Sequence, residues 1–167
     1  PKRHWAQHTV PELLAFLHAA SRELPALLAE WRPHWTLAHF TLPAGELARR
    51  IKRRWGVPYA VHLHGSDVPG YRAGPLRALH VLLTPCVRRV WREADVVFAC
   101  SAALRDLALR TWPAGRIAVL GNGVDPELFR PAASRHTTPG EPLLLTAIGQ
   151  LIERKGLDHL LRALAGL

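Results

Sequence analysis

Val96-Val97-Phe98-Ala99-Cys100-Ser101, residues 96–101, holds five apolar residues in a row and then a hydroxyl. A strand with one wet face alternates polar and apolar side chains, and this stretch does not alternate. Near-continuous apolarity over five positions is the pattern of a strand buried on both faces, as in a parallel sheet lying between layers of helix. Ser101 suits the position that follows. Its hydroxyl can accept from an unpaired amide of a first helical turn, so a helix is expected from there to about residue 110.

The same alternation extends outward in both directions. Upstream lie a strand at 59–63 and a long helix at 75–93. Before them, 45–55 reads as an amphipathic helix with Leu47, Ile51 and Trp55 in one stripe and Arg49, Arg50, Lys52, Arg53 and Arg54 crowding the rest. Residues 35–40 form an apolar run between Pro33 and Pro43, a short buried strand, and 11–31 read as a helix broken or kinked at Pro25. Downstream, 116–120 is a strand closed by Gly121-Asn122-Gly123, and Asp125-Pro126-Glu127 reads as a cap followed by proline at the first helical position. Strands alternating with helices predict an α/β fold, a parallel Rossmann-like sheet with flanking helices.

The composition shifts to Pro, Ser, Thr, Gly and His after residue 130, which divides the chain into a domain at 1–130, a linker at 131–142 and a second unit at 143–167. That unit is expected to hold one strand, 143–148, and one helix from about 156 with Leu157, Leu160, Leu161 and Leu164 on one face. One strand and one helix cannot bury their apolar faces alone, so 143–167 reads as the opening of a second α/β domain.

Of 167 residues, 49% are apolar and 21% charged, which is ordinary for a globular protein and excludes a disordered one. The chain begins at Pro1 and has no methionine, so it is expected to be a segment of something longer. Its 22 basic against 13 acidic residues favour anionic partners. Nucleic acid is not expected, because no basic face is interleaved with aromatic residues. Cys86 and Cys100 lie in apolar runs and are expected to be buried thiols in a reducing compartment, with neither a disulfide framework nor a Cys-x-x-Cys zinc spacing. No apolar run approaches the ~20 residues that a membrane span requires. A cytoplasmic protein is the expectation.

Ligands of open parallel sheets bind beyond the carboxyl ends of the strands, and the informative motifs sit there. His62-Leu63-His64-Gly65-Ser66-Asp67 ends the 59–63 strand. Gly65 would let the backbone approach a ligand, and His64 and Asp67 can donate to or accept from a polar substrate. Asp67 could equally cap the next segment. Metal chelation is not expected: His62 and His64 are taken to point to opposite sides of the strand, and the hydrolase pattern His-x-His-x-Asp-His would need Asp at Ser66. Gly121-Asn122-Gly123-Val124-Asp125 fails the dinucleotide fingerprint, because Pro126 stands where a third glycine is needed. In Gly149-Gln150-Leu151-Ile152-Glu153-Arg154-Lys155-Gly156, Lys155 stands just before a helix N-terminus, where free amides and the helix dipole favour an anion such as phosphate.

In order and spacing, these motifs resemble glycosyltransferase family 4, from about residue 32 to the end. They run through Trp35…His39-Phe40-Thr41-Leu42-Pro43-Ala44-Gly45, Gly56-Val57-Pro58-Tyr59…His64-Gly65-Ser66-Asp67-Val68 and Ala94-Asp95-Val96-Val97…Ser101. Gly121…Asp125…Phe129-Arg130-Pro131 and Gly149…Lys155-Gly156-Leu157-Asp158 complete the series.

The resemblance implies a partial GT-B architecture, the later part of an acceptor-side N-terminal domain plus the first strand and helix of a donor-binding Rossmann-like domain. It implies retaining transfer of a hexose from a nucleoside-diphosphate sugar, a substrate, to a glycan, lipid-linked or small-molecule acceptor, with no cofactor and no metal. His64 would be catalytic, near the reacting sugar. Lys155, with Gly149 and Gln150, would hold the donor phosphates, and His39, Gly65 and Asp67 would line the acceptor or sugar side. Gln150 departs from the family, which commonly has arginine there, and glutamine cannot neutralise a diphosphate. The family's paired glutamates and its glycine-rich opening loop lie outside these residues, so this segment alone is expected to be inactive. Helix 45–55 could also dock on anionic lipid at the inner face of the cytoplasmic membrane, although a solvated surface helix is the more ordinary reading.

Overall fold

The structure is a computed structural model that describes residues 9–71, 76–131 and 144–166. Two compact units are present, Pro1–Val124 and Asp125–Leu167.

In the first unit, four strands pair in the order β1 (Thr36–His39), β2 (Tyr59–Leu63), β3 (Val96–Ala99) and β4 (Ile117–Val119), and every pair is parallel. Parallel neighbours need crossovers, and α2 (Glu46–Trp55), α3 (Leu76–Glu93) and α4 (Ala102–Thr111) supply them. The α/β reading of the sequence therefore holds. Every residue of β2 is buried, as expected for a strand covered on both faces, whereas β3 alternates and leaves Val96 and Phe98 only partly covered. Coverage of both faces is thus complete at β2 and incomplete at β3, although both are inner strands.

Local chemistry fixes several element ends. α1 (Val10–Glu30) begins with a capping box: the Glu12 amide donates to the Thr9 hydroxyl, and the Thr9 amide donates to the Glu12 carboxylate. The helix runs unbroken through Pro25, whose missing N–H removes only one rung. Ser101 caps α4 as expected, its Oγ accepting from the Leu104 amide at 3.2 Å. Asp95, ahead of β3, accepts from the Tyr59 amide at 2.9 Å and from Lys52 at 2.8 Å, which ties α2 to the entry of two strands.

The core clusters Tyr59, Val61, Leu63, Val68, Val90, Trp91, Val97 and Ala99. Its largest polar atoms are partnered, as burial demands. The Tyr59 hydroxyl donates to the Val90 carbonyl at 2.6 Å, and Trp91 Nε1 donates to Thr41 Oγ1 at 2.8 Å. Gly45, at the start of α2, has no room for a side chain, because a Cβ there would come within 2.8 Å of Val90 Cγ1.

Three expectations need correction. Cys86 is exposed and Cys100 half-buried, so the cysteines are not two buried thiols. The apolar run around Cys86 wraps the helix: Val81 and Leu82 of α3 are exposed as well. Arg49 is not on a solvated face but is buried, donating to Glu46 at 2.7 Å and to Glu93 at 3.2 Å. Finally, residues 144–148 form no strand; Leu143 lies outside the described residues. An extended segment becomes a strand only when a neighbour completes its ladder.

In the second unit a tight turn at Glu153–Lys155 leads through Gly156, at φ +63°, into α5 (Leu157–Leu164). No described residue of this unit is buried, and Leu161 is 67% exposed. That agrees with the expectation that a lone helix cannot cover its own apolar face. Among the described residues no helix is long and apolar enough to cross a membrane.

Candidate functional site

Parallel pairing in register sets His39, the last residue of β1, opposite His62 near the end of β2. His64 follows two residues later. The expectation that His62 and His64 point to opposite sides was wrong: alternate residues of an extended chain share a face, and the two rings lie 4.5 Å apart. His39 Nδ1 stands 2.9 Å from His64 Nε2, so three imidazoles meet at the carboxyl edge of the sheet.

Each ring is held differently. His62 is buried, and its Nε2 lies 3.0 Å from the Leu120 carbonyl beyond β4. A carbonyl only accepts, so Nε2 carries the proton and Nδ1 keeps the lone pair. The Phe98 ring meets His62 edge-on at 6.3 Å. His64 is half-buried, with Phe40 against it at 4.9 Å. Phe40 has φ +73° and ψ +143°, a backbone conformation almost confined to glycine. That turn carries the chain from His39 to Thr41 and brings the Phe40 ring against His64.

Asp67 lies at the centre of the arrangement. Its Oδ1 accepts from the His64 amide at 3.0 Å, while Oδ2 accepts from the Thr41 amide at 3.0 Å and the Thr41 hydroxyl at 3.2 Å. One carboxylate therefore ties the loop after β1 to the loop after β2. Thr41 in turn accepts from Trp91, so the chain of hydrogen bonds passes from the core to the backbone amide of His64. With three donors on its two oxygens, Asp67 is a positioning residue in this structure.

Gly65 has φ +112°, and a Cβ there would lie 2.6 Å from the Tyr71 ring. The group that closely approaches Gly65 in this structure is the protein's own Tyr71. Sequence reasoning missed Phe40, Thr41, Tyr71 and the role of His62. For His62 the signal was present in the i, i+2 spacing; for the others no local pattern gives it.

Burial pushes the His64 imidazole below its ordinary value, and the neighbouring His62 and His39 push it the same way, with Asp67 opposing. At pH 7 the ring is therefore neutral and offers one N–H and one lone pair. We expect its NMR titration midpoint to lie below 6.5, the ordinary value. The unfolded chain then takes up the proton first, so this group's share of stability is present above pH 6.5 and declines as pH falls through it. A midpoint at or above 6.5 contradicts the burial described for this ring.

The third motif folds as a unit of its own. A Cβ on Gly149 would lie 3.9 Å from Lys155 Cγ and Cδ, so the lysine stem runs over the glycine. The Ile152 amide donates to the Gln150 carbonyl at 2.9 Å, and the Gly156 amide to the Glu153 carbonyl at 2.9 Å. Lys155 is exposed and stands two residues before α5. Gly149, Gln150 and Lys155 are thus gathered on one loop ahead of a helix N-terminus, in the pattern that favours an anion.

The sequence model of a family described as Glycosyltransferase Family 4 matches residues 2–128. An alpha-maltose-1-phosphate synthase of Mycolicibacterium smegmatis is 29% identical over 139 residues, 74% of this chain and 34% of that protein. A Bacillus subtilis protein named "Putative teichuronic acid biosynthesis glycosyltransferase TuaC" is 29% identical over 140 residues, 78% of this chain and 34% of that protein. The chain spans about a third of the length of these curated relatives.

Proposed function

The chain belongs to glycosyltransferase family 4, and from that premise we propose that the whole protein transfers a hexosyl group from a nucleoside-diphosphate sugar to a glycan, lipid-linked or small-molecule acceptor, with retention and within a GT-B architecture. The observation that carries this reading is the meeting of His39 and His64, braced by Asp67, at the carboxyl ends of β1 and β2. That is where an open parallel sheet takes its ligand. His64, half-buried, orients the donor sugar through its ring N–H. Lys155 offsets charge on the leaving diphosphate, helped by the amides at the start of α5. His39 faces the acceptor or the sugar. The test is direct: the whole protein is supplied with nucleoside-diphosphate hexoses and candidate acceptors, and the anomeric configuration of the product is read by proton NMR. Retained configuration is expected; an inverted product removes the retaining assignment, and binding without turnover favours a non-catalytic subunit. Gln150, uncharged where the family commonly has arginine, is the observation that keeps this second reading in view.

Contact with anionic lipid through α2 has a narrower basis than the sequence suggested. Arg49 and Arg50 pair with Glu46, and Lys52 pairs with Asp95. Arg53 and Arg54 have no acidic partner among the described residues, and Arg54 lies over the Trp55 ring at 4.8 Å. Two free cations near the surface supply roughly 2 kcal/mol of attraction to an acidic leaflet. Sedimentation with acidic vesicles at low salt is therefore expected to exceed that with neutral vesicles modestly, and Arg53→Gln with Arg54→Gln to abolish the difference. Equal sedimentation with both vesicle types rejects docking.

A further inference from the structure

His39, His62 and His64 bring three ligand nitrogens within 4.8 Å of one another, and no second group of three such donors forms among the described residues. We propose that these three side chains bind one divalent transition ion of the zinc class, with a fourth position left for water or a small ligand.

The chemistry of the donors and their support both point to that ion. The set is all imidazole: Asp67 is the nearest carboxylate in the network, and its two oxygens are already taken by the His64 amide and by Thr41. Nitrogen donors suit zinc, copper and nickel, whereas magnesium, calcium and manganese prefer oxygen. Three protein ligands with an open fourth position is the coordination of an accessible zinc site.

His62 has the outer support that metal-bound imidazoles show, its Nε2–H directed at the Leu120 carbonyl and Nδ1 left with the lone pair. Around a tetrahedral zinc at roughly 2.0–2.1 Å, ligand nitrogens stand about 3.4 Å apart. The widest spacing must therefore close by somewhat more than an ångström, and the His39–His64 contact must open by about half of one. His39 is exposed and His64 half-buried, so ring rotation can supply both changes while His62 stays fixed.

The ordinary alternative is a simple hydrogen bond between His39 and His64 with no affinity for metal. Titration of the purified protein with zinc against a chromophoric chelator at pH 7.5 separates the two. One zinc per chain is expected, and excess magnesium should not displace it. His39→Ala and His64→Ala should each weaken binding by at least ~100-fold, since losing an outer-shell partner alone costs 10–100-fold. Absence of zinc uptake by the wild type, or zinc uptake by either variant as tight as that of the wild type, overturns the site.

Should a variant misfold, the wild type still decides. Zinc should shield His39 and His64, but not His18 or His159, from acylation by diethyl pyrocarbonate as mapped by peptide mass spectrometry. Unshielded His39 and His64 overturn the proposal. Because none of these measurements uses turnover, their outcome is separate from that of the sugar-transfer assay.

Discussion

In the sugar transfer proposed for the whole protein, Lys155→Ala is expected to lower turnover about 100–1,000-fold, the range seen when one preorganised charge-stabilising donor is removed from a reacting centre. The leaving nucleoside diphosphate gains negative charge as the glycosidic bond to it breaks. An ammonium already in place stabilises that charge without reorganising, and this contribution grows along the reaction path. The loss should therefore appear mainly in kcat and only weakly in the donor KM. Lys155 is suited to the task by its setting, on a loop folded over Gly149 and two residues ahead of α5. Gln150 adds to its importance, because the neighbouring position offers a hydrogen bond and no charge. Lys155→Arg should retain part of the rate, since it keeps the charge and changes its shape. Turnover of Lys155→Ala at the wild-type rate would remove the donor-phosphate role.

Trp91→Ala should destabilise the first unit by about 3–5 kcal/mol, the usual range for deleting a buried aromatic side chain. Trp91 is fully buried and is the largest such side chain in the core. Its loss leaves a cavity and also removes the indole N–H from Thr41 Oγ1. Thr41 shares Asp67 with the His64 amide, so the damage should extend to the imidazole cluster. Urea denaturation followed by far-ultraviolet circular dichroism measures the first effect, and the His39 and His64 ring resonances report the second. Trp91→Phe keeps most of the packing but not the donor, and should cost about 0.5–1.5 kcal/mol, the net value of one buried hydrogen bond. A drop below ~1 kcal/mol for Trp91→Ala would mean that the indole is not packed as described.

Particular residues show where sequence reasoning reached the site and where it stopped. Ser101 was readable as a cap because its partner, the Leu104 amide, is three residues away. The buried arginine was not readable: Arg49 pairs with Glu93, forty-four residues along the chain, and nothing in the basic run of α2 marks one cation as different from the rest. Thr41 looks like any loop threonine until Trp91 reaches it from fifty residues away. The histidine pair is a different case. Alternation along a strand already places His62 and His64 on one side, so their approach was legible and was misread; what alternation could not supply was His39, which arrives through the register of β1 on β2.

In the first unit the sequence by itself determined the kinds of element and their order: an uninterrupted apolar run for an inner strand, helical spacing between strands, a hydroxyl cap at the start of α4; the helix expected after Asp125 is only a turn. Those follow from interactions a few residues long, whose periods are written in the chain. Only the tertiary structure decided which charges are buried in pairs, that Asp67 braces two loops, and that three imidazoles share one edge of the sheet. Each of these depends on contacts between segments that become neighbours only after strands pair in register, and a register is fixed by the packing of the whole core.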